Sequence, residues 1–320
     1  MTSQPRDRSP SSAPIVDGIE PLLRELRRFD TAEAASFEHV FRHAEEGIEL
    51  HWNARNHRKR RSHPLRMADG IGIARAPYRL LAVQWRSLSW WVAAAFTVGS
   101  LVWLVNGLVI VLPFTNAPMI KAEVPIWSAV VGGGIFLIGA YLSWLEVLNA
   151  PRYVLLYRTG GVAHSRAVHA DDHHFRWLGL RPPTWGYWLN LAQLLGATIF
   201  FLPCVMGALL TAHPAINAFD WYWLPQMIGA IWFIIAAWMS MREVQPTVLR
   251  PAWNKLGWWS GLFNLLGAIG FFLCAWFGFK SGFENPLLSG LSTFLGSVWF
   301  LIASYLMLLE VINPEGPEGR

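Results

Sequence analysis

An internal repeat constrains this chain more than any other feature of its sequence. The last unit, residues 253–314, pairs two apolar runs across a short turn, and the same pattern occurs twice upstream. Two of the aligned columns are a glycine in the first run, at Gly99, Gly196 and Gly267, and a glutamate in the second, at Glu146, Glu243 and Glu310. Repeats at matched offsets predict an array of equal units, each of which needs a neighbour to bury its apolar face.

Six apolar segments make up these three units, and each is long enough to cross about 30 Å of hydrocarbon as a helix. They are predicted at roughly 88–112, 125–147, 186–211, 221–243, 257–279 and 286–311. Because each unit contains two crossings, every unit enters from the same side, which indicates parallel repeats. The predicted fold class is therefore an all-α polytopic membrane protein with six transmembrane helices, preceded by a short helical cytoplasmic segment.

Composition and charge agree with a membrane location. Hydrophobic residues make up 53% of the chain and charged residues 15%, against about 25% charged in soluble domains. Of the 26 Lys and Arg, 15 precede residue 87, and the loops on one side of the predicted membrane are the more basic. The positive-inside rule places both termini and the loop 148–185 in the cytoplasm of a plasma (inner) membrane protein.

The N-terminal part divides into a polar tail and a more structured region. Residues 1–17 are rich in Pro and Ser and are predicted to be disordered. Apolar residues at helical spacing predict amphipathic helices at 18–29 and 31–56. The predicted organisation in chain order is tail 1–17, cytoplasmic segment 18–86, hairpin 87–150, loop 151–182, hairpin 183–246, hairpin 253–314 and tail 315–320. A strand-like run and a Gly-Gly turn stand out within the loop.

One metal-like pattern falls on the predicted helix 31–56. His39, His43 and Glu46 have the spacing that puts three side chains on one side of a helix, within reach of one ion. The alternative is a solvated polar face, which three such residues on a surface helix also produce. We adopt the solvated face and predict no metal site and no cofactor.

A basic stretch lies between the N-terminal region and the first apolar segment. Its residues are predicted to contact anionic lipid headgroups, which attract Lys and Arg close to a membrane surface. They are Arg55, Arg58, Lys59, Arg60, Arg61 and Arg66. The aromatic or groove-reading context of a nucleic-acid site is absent from this stretch, so nucleic acid is not a predicted partner.

The aligned glutamates, Glu146, Glu243 and Glu310, are the main candidate functional residues. Each is predicted about one turn from the cytoplasmic end of its helix, where a carboxylate can reach headgroups and water. Two interpretations stay open. The three are interfacial anchors paired with juxtamembrane Arg and Lys, or they converge as an acidic ring that selects cations or positions a basic partner.

Four amides inside the apolar segments are the second set of candidates. Asn106, Asn190, Gln193 and Asn264 either line a polar path or hydrogen-bond between helices.

The hairpin pattern resembles the YrhK-like family of small bacterial membrane domains. The resemblance rests on Trp258-Trp259, Gly267, Gly296 and Phe300, and residues 88–150 and 183–246 repeat it more loosely. It covers about 190 residues and none of the N-terminal 85. It implies a two-helix architecture in three copies and no particular activity.

No hydrolase, metalloprotease or Walker motif occurs in the sequence, so an enzyme is not predicted. The hypothesis we adopt is a membrane scaffold or sensor, because ionisable residues, the usual sign of an ion pathway, are absent between the predicted interfaces. The alternative is a transporter or channel for a small or neutral solute. The solute or ligand is not indicated by the sequence, and an oligomer is compatible with it.

Overall fold

The structure is a computed structural model. It describes residues 20–28, 37–43, 48–60, 65–67, 78–115, 123–151, 153–159, 162–168, 174–180, 184–212, 217–245, 247–248, 250–279 and 285–313. The main elements are β1 Glu20–Arg28, β2 Glu38–His43, β3 Ile48–Asn53, α1 Ala54–Arg58, β4 Leu65–Met67, α2 Leu88–Val111, α3 Glu123–Leu148, β5 Tyr153–Thr159, β6 Val162–Val168, α4 Trp185–Ala212, α5 Leu224–Val244, α6 Leu256–Phe279 and α7 Pro286–Ile312.

Helices α2 to α7 coincide with the six predicted apolar segments to within a few residues. All six are long and apolar enough to cross a membrane, α5 together with the π-helical turn Phe219–Trp223 that precedes it. The chain is therefore a multi-pass membrane protein, and the predicted all-α character of its membrane part is confirmed.

The six long helices form a closed ring. Each packs against the next in sequence, and α7 returns to pack against α2. Glycines bring the helices of each hairpin close together at the aligned positions. A Cβ at Gly99 would lie 2.6 Å from the ring of Phe136, one at Gly196 2.9 Å from Phe233, and one at Gly267 2.8 Å from Phe300.

Aromatic side chains fill the middle of the ring. Trp103, Phe200 and Phe271 come from α2, α4 and α6, and their ring centroids lie 5.0–5.8 Å apart. A second set, Phe136, Phe233 and Phe300, comes from α3, α5 and α7, and Phe300 lies 5.6 Å from Phe136 and 6.3 Å from Phe233. All six are buried in one cluster, which we call the aromatic layer.

The N-terminal region differs from the prediction. Helices were predicted at 18–29 and 31–56, but the described residues 20–28, 38–43 and 48–53 of these ranges form β1, β2 and β3. Among the described residues before α2 only α1, which includes residues 54–56 of the second range, is helical. Strand β3 is indicated by Ile48, Leu50 and Trp52, whose alternation has the period of two that a strand requires. Strand β1 pairs with β5, more than 120 residues later, so its conformation depends on a distant partner that local periodicity does not reveal.

The strands form two small antiparallel sheets, with the orders β1-β5-β6 and β2-β3-β4. The strand-like run of the loop 151–182 lies on β5, which pairs antiparallel with β6, whereas the predicted Gly-Gly turn lies outside the described residues. Because β1 joins this pair of strands, the loop folds against the N-terminal segment.

The change from helix to strand removes the basis of the metal-like pattern. His39 and His43 lie on β2, and four residues along a strand span about 13 Å, too far for one ion. Glu46 lies outside the described residues. Within the part of the chain that the structure describes, no group of three His, Cys, Asp or Glu is arranged to hold a metal ion.

Candidate functional site

The candidate site begins with α1, which lies across one end of the helix ring. Asn53 ends β3 and caps α1, since its side chain accepts a hydrogen bond of 3.1 Å from the Asn56 backbone N–H. Helix α1 contacts the start of α4 and the end of α5, where α3 and α7 also end. We call this the α1 end of the bundle.

Arg55 joins α1 to α7 and α5. Its guanidinium donates two hydrogen bonds to the Glu310 carboxylate, from Nε to Oε1 at 2.8 Å and from Nη2 to Oε2 at 2.9 Å. Its remaining nitrogen, Nη1, donates to the Ser240 hydroxyl at 3.2 Å and lies 3.6 Å from Glu243 Oε2. One arginine therefore contacts two of the three glutamates, and its bidentate pairing fixes the orientation of the side chain.

Arg58 makes the same kind of contact with α5. Its Nη1 donates to Glu243 Oε1, and its Nη2 donates to Glu243 Oε2 at 2.9 Å. Its Nε lies 3.9 Å from Glu146 Oε1 on α3. Lys59 adds a third cation, because its Nζ lies 2.8 Å from Glu310 Oε2.

These side chains form one buried cluster of three cations and three carboxylates. We call it the clasp, and its members are Arg55, Arg58, Lys59, Glu146, Glu243 and Glu310. The relative exposure is 1% for Glu243, 2% for Glu310, 7% for Glu146, 6% for Arg55 and 9% for Arg58. A buried charge is stabilised only when it is paired and hydrogen-bonded, so each partner depends on the other for its place in the protein.

The electrostatics of α1 agree with this pairing. Burial alone would lower the pKa of Arg55, but the Glu310, Glu243 and Glu146 carboxylates together outweigh this effect, and the pKa of Arg55 lies above its ordinary value. Burial likewise opposes the charge of Arg58, and the Glu243 and Glu146 carboxylates together raise its pKa. Both guanidinium groups are therefore charged at every physiological pH.

Small residues near the starts of α2, α4 and α6 make room for α1. A Cβ at Gly186 would lie 2.5 Å from Arg58 Nη1, and one at Gly257 would lie 3.2 Å from Arg55 Nε. Ser89, at the aligned position of α2, donates a hydrogen bond of 3.4 Å to the Lys59 carbonyl. The bundle thus supplies both the carboxylates and the space for the basic segment.

Further hydrogen bonds join the segment after Asn53 to the residues that follow α3 and precede α4. His57 Nε2 lies 2.9 Å from the Pro151 carbonyl, and Arg60 Nη2 donates to the Asn149 carbonyl at 3.1 Å. The Asn149 side chain in turn pairs with both the backbone N–H and the carbonyl of Arg176, at 2.7 and 2.8 Å.

The Asn313 side chain pairs in the same way with the backbone N–H and the carbonyl of Arg79, and both hydrogen bonds are 2.7 Å long. Asn149 and Asn313 were not predicted as site residues, although each stands three residues after an aligned glutamate, in Glu146–Asn149 and Glu310–Asn313.

The structure therefore brings the three predicted glutamates together. Two residues of the basic stretch lie elsewhere than predicted. Arg55 and Arg58 are buried against carboxylates, since the bundle offers them fixed anionic partners, whereas lipid contact by the rest of the stretch stays a prediction. Lys59 donates a hydrogen bond to the Glu310 carboxylate. Arg60 is exposed, and its guanidinium donates a hydrogen bond to the Asn149 carbonyl. Arg61 lies outside the described residues, and Arg66 lies on β4.

The four predicted amides fall into two groups. Asn190, Gln193 and Asn264 line a cavity of about 80 Å³ next to the clasp, which Ser100 and Glu146 also line. Asn190 accepts from the Ser143 hydroxyl and donates to the Gly186 carbonyl. The volume suits two or three waters at about 30 Å³ each. We call it the inner cavity.

Asn106 lies instead beside a larger cavity, of about 370 Å³, toward the opposite end of the bundle. We call it the outer cavity. Its lining includes Trp103, Phe200 and Phe271, whereas Phe136 and Phe300 line the inner cavity, so the aromatic layer separates the two. Gln226, which also lines the outer cavity, was not predicted, because a single amide three residues after a tryptophan gives no distinctive signal.

The charge pairs of the clasp can hold α1 on the bundle or, when they are broken, let it detach. Glu243 and Glu310 are each held by two nitrogens of one arginine, whereas the contact of Glu146 with Arg58 Nε is longer, at 3.9 Å. An event that neutralises or moves Glu243 or Glu310 removes the carboxylate that an arginine of α1 holds with two nitrogens, and this favours release of α1.

Comparison of the chain with protein-family models, curated proteins and solved structures finds no match.

Proposed function

We propose that this multi-pass membrane protein is a scaffold of the sensor type, in which the helix bundle holds its own N-terminal segment and responds to its surroundings by releasing or tightening it. One observation carries the proposal. Arg55 and Arg58, from outside the membrane helices, are buried in bidentate contact with carboxylates of α7 and α5. Because a buried charge pair is lost when either partner moves away, this contact links the position of α1 to the positions of α5 and α7.

The clasp supports a coupling between the bundle and the segment. Its three carboxylates come from α3, α5 and α7, so a shift of any of these helices changes the distances to Arg55 and Arg58. We further propose that the three hairpins are YrhK-like copies with both termini on the cytoplasmic side. The equal Gly–Phe contacts at Gly99, Gly196 and Gly267 support three equivalent units.

Hydrogen–deuterium exchange of the full-length protein in lipid nanodiscs tests this coupling. The change is Phe271→Ala in the aromatic layer, which perturbs the bundle far from α1. The matched control is Trp127→Ala, an aromatic residue near the start of α3 that is 60% exposed. We expect the backbone amides of residues 54–60 to exchange faster in Phe271→Ala and at the wild-type rate in Trp127→Ala. Equal exchange in both variants would reject the sensor and leave a passive scaffold.

The two cavities favour a second candidate function, which is a conduit for a small or neutral solute. The inner and outer cavities lie on either side of the aromatic layer, and α1 covers the inner one through Arg55, Arg58 and Lys59. If α1 is a plug, the triple variant Glu146→Gln, Glu243→Gln and Glu310→Gln should raise the flux of glycerol or K⁺ into proteoliposomes. Flux equal to that of protein-free liposomes, with the variant folded, would reject the conduit.

A further inference from the structure

We propose that the outer cavity is a binding site for a small uncharged aromatic molecule that carries one O–H or N–H donor. The cavity lies at the other end of the bundle from the clasp, so the inference does not depend on the proposed function. Its volume of about 370 Å³ falls in the range of small-molecule sites, about 300–1,000 Å³.

The walls of the cavity determine the class of ligand. Among the described residues that line it, none carries a charge, and the aromatic rings of Trp103, Phe200, Tyr222, Trp223, Phe271 and Phe277 contribute to the lining. A charged ligand would lose its hydration here without a counter-charge, which is costly inside a membrane protein. Aromatic walls favour a flat ring, which they contact edge-to-face or by offset stacking.

Two buried amides supply the polar recognition. Asn106 and Gln226 are 2% and 6% exposed. Asn106 Nδ2 donates to the Pro125 carbonyl and the Ser128 hydroxyl, and Gln226 Nε2 donates to Cys274 Sγ. Among the described residues these bonds use only the amide nitrogens, so the two amide oxygens are available as acceptors. Acceptors in an apolar pocket select a ligand with a hydrogen-bond donor.

A π-helical turn and two glycines shape the wall of this cavity. The π-helical turn Phe219–Trp223 presents Tyr222 and Trp223 to it, and π-helical turns occur frequently at functional sites. Glycines on the facing helices make room for the two rings. A Cβ at Gly278 would lie 2.2 Å from the Trp223 ring, and one at Gly207 would lie 3.2 Å from that of Tyr222.

Equilibrium dialysis of radiolabelled indole against the full-length protein in nanodiscs tests the proposal, with empty nanodiscs to measure partition into lipid. Indole is flat, uncharged and carries one N–H. We expect saturable binding of one indole per protein, in excess of the lipid background. We expect 1-methylindole, which lacks the donor, to compete about three- to tenfold more weakly, and benzoate not to compete.

Two variants and one control locate the site. Ala129→Phe fills the cavity and should abolish saturable binding, whereas Val131→Phe, the same kind of change at a position of α3 that is 51% exposed, should preserve it. Gln226→Leu keeps the volume and should remove most of the difference between indole and 1-methylindole. Absence of saturable binding, binding unchanged in Ala129→Phe, or equal competition by benzoate would overturn the proposal. If Ala129→Phe does not fold, Gln226→Leu with the two indoles decides.

Discussion

The three glutamates of the clasp occupy aligned positions in the sequence, but they are not equally paired. Glu243 lies 1% exposed between Arg58 and Arg55, and Glu310 bonds to both Arg55 and Lys59. Glu146 lies 3.9 Å from Arg58 Nε, which is too long for a hydrogen bond. The free-energy cost of removing each charge should therefore differ.

We expect Glu243→Gln to lower the free energy of unfolding by about 3–5 kcal/mol, because it leaves the Arg58 guanidinium buried without its carboxylate. Glu146→Gln removes a longer and weaker contact and should cost clearly less. Unfolding in bicelles by titration with dodecyl sulfate measures both values. Equal costs for the two variants would show that the pairing seen here does not determine the stability.

Gly186 tests the space that the bundle leaves for Arg58. A methyl group there would lie 2.5 Å from Arg58 Nη1, and Arg58 cannot move away without lengthening its bonds to Glu243. Gly186→Ala should therefore speed amide exchange across residues 54–60. The control is Gly134→Ala, whose Cβ would meet its nearest atom, Phe201 Cε2, at 3.7 Å, an ordinary contact. A Gly186→Ala protein that exchanges like the Gly134→Ala protein would argue against a close fit of α1.

At the scale of elements, the long helices are held by close backbone contact as well as by aromatic packing. A Cβ at Gly270 would lie 2.7 Å from Gly296 Cα and 2.9 Å from the Ser292 carbonyl oxygen. Because both neighbours are backbone atoms, α6 and α7 would have to separate to accept a side chain.

We therefore expect Gly270→Ala to destabilise the protein by about 1–3 kcal/mol, the usual range for added volume at a tight contact. The same unfolding titration measures the loss, and Gly134→Ala again serves as the tolerated substitution. A stability of Gly270→Ala within error of the wild type would mean that α6 and α7 pack less closely than described.

The elements that the sequence predicted correctly are those decided by local chemistry. Twenty or more apolar residues in succession predict a membrane helix in any context, and all six were found. The N-terminal elements were mistaken because the apolar spacing of 37–48 fits a helix, while the alternation of Ile48, Leu50 and Trp52 fits a strand. Strand β1 requires β5 as its partner, and pairing over such a distance cannot be deduced from the local pattern.

Of the candidate site, the carboxylates could be predicted from the sequence and their basic partners could not. The glutamate column follows from the alignment and was predicted together with a basic partner as one alternative. The partner itself was assigned to lipid, because Arg55, Arg58 and Lys59 belong to a run of basic residues that suits an anionic surface equally well. Only the fold shows that α1 directs these three side chains into the end of the ring, where Gly186 and Gly257 leave room.

At the scale of the whole molecule, one end of the bundle combines the N-terminal segment with the last turn of α7. The Asn313 side chain holds the backbone of Arg79 there, and Glu310 holds Arg55. With an even number of crossings, both ends of the chain are expected on one side of the membrane, and the basic loops are the basis of our proposal that this side is cytoplasmic.

A reporter fused after Arg320 tests this orientation. We expect alkaline phosphatase at that position to be inactive and green fluorescent protein to be fluorescent, as for a cytoplasmic location in bacterial cells. The reverse pattern would contradict the orientation, although the clasp itself would be unaffected.

The central claim is that the bundle holds the N-terminal segment through buried charge pairs, and a double-mutant cycle on Arg58 and Glu243 tests it most directly. Arg58→Gln, Glu243→Gln and the double variant are compared with the wild type by the free energy of unfolding in the same bicelles. We predict that the double variant is more stable than the sum of the two single losses implies, by at least about 1.5 kcal/mol, because it leaves no buried charge from this pair unpaired. Losses that add to within about 0.5 kcal/mol would show that the two residues act independently, and would contradict the clasp.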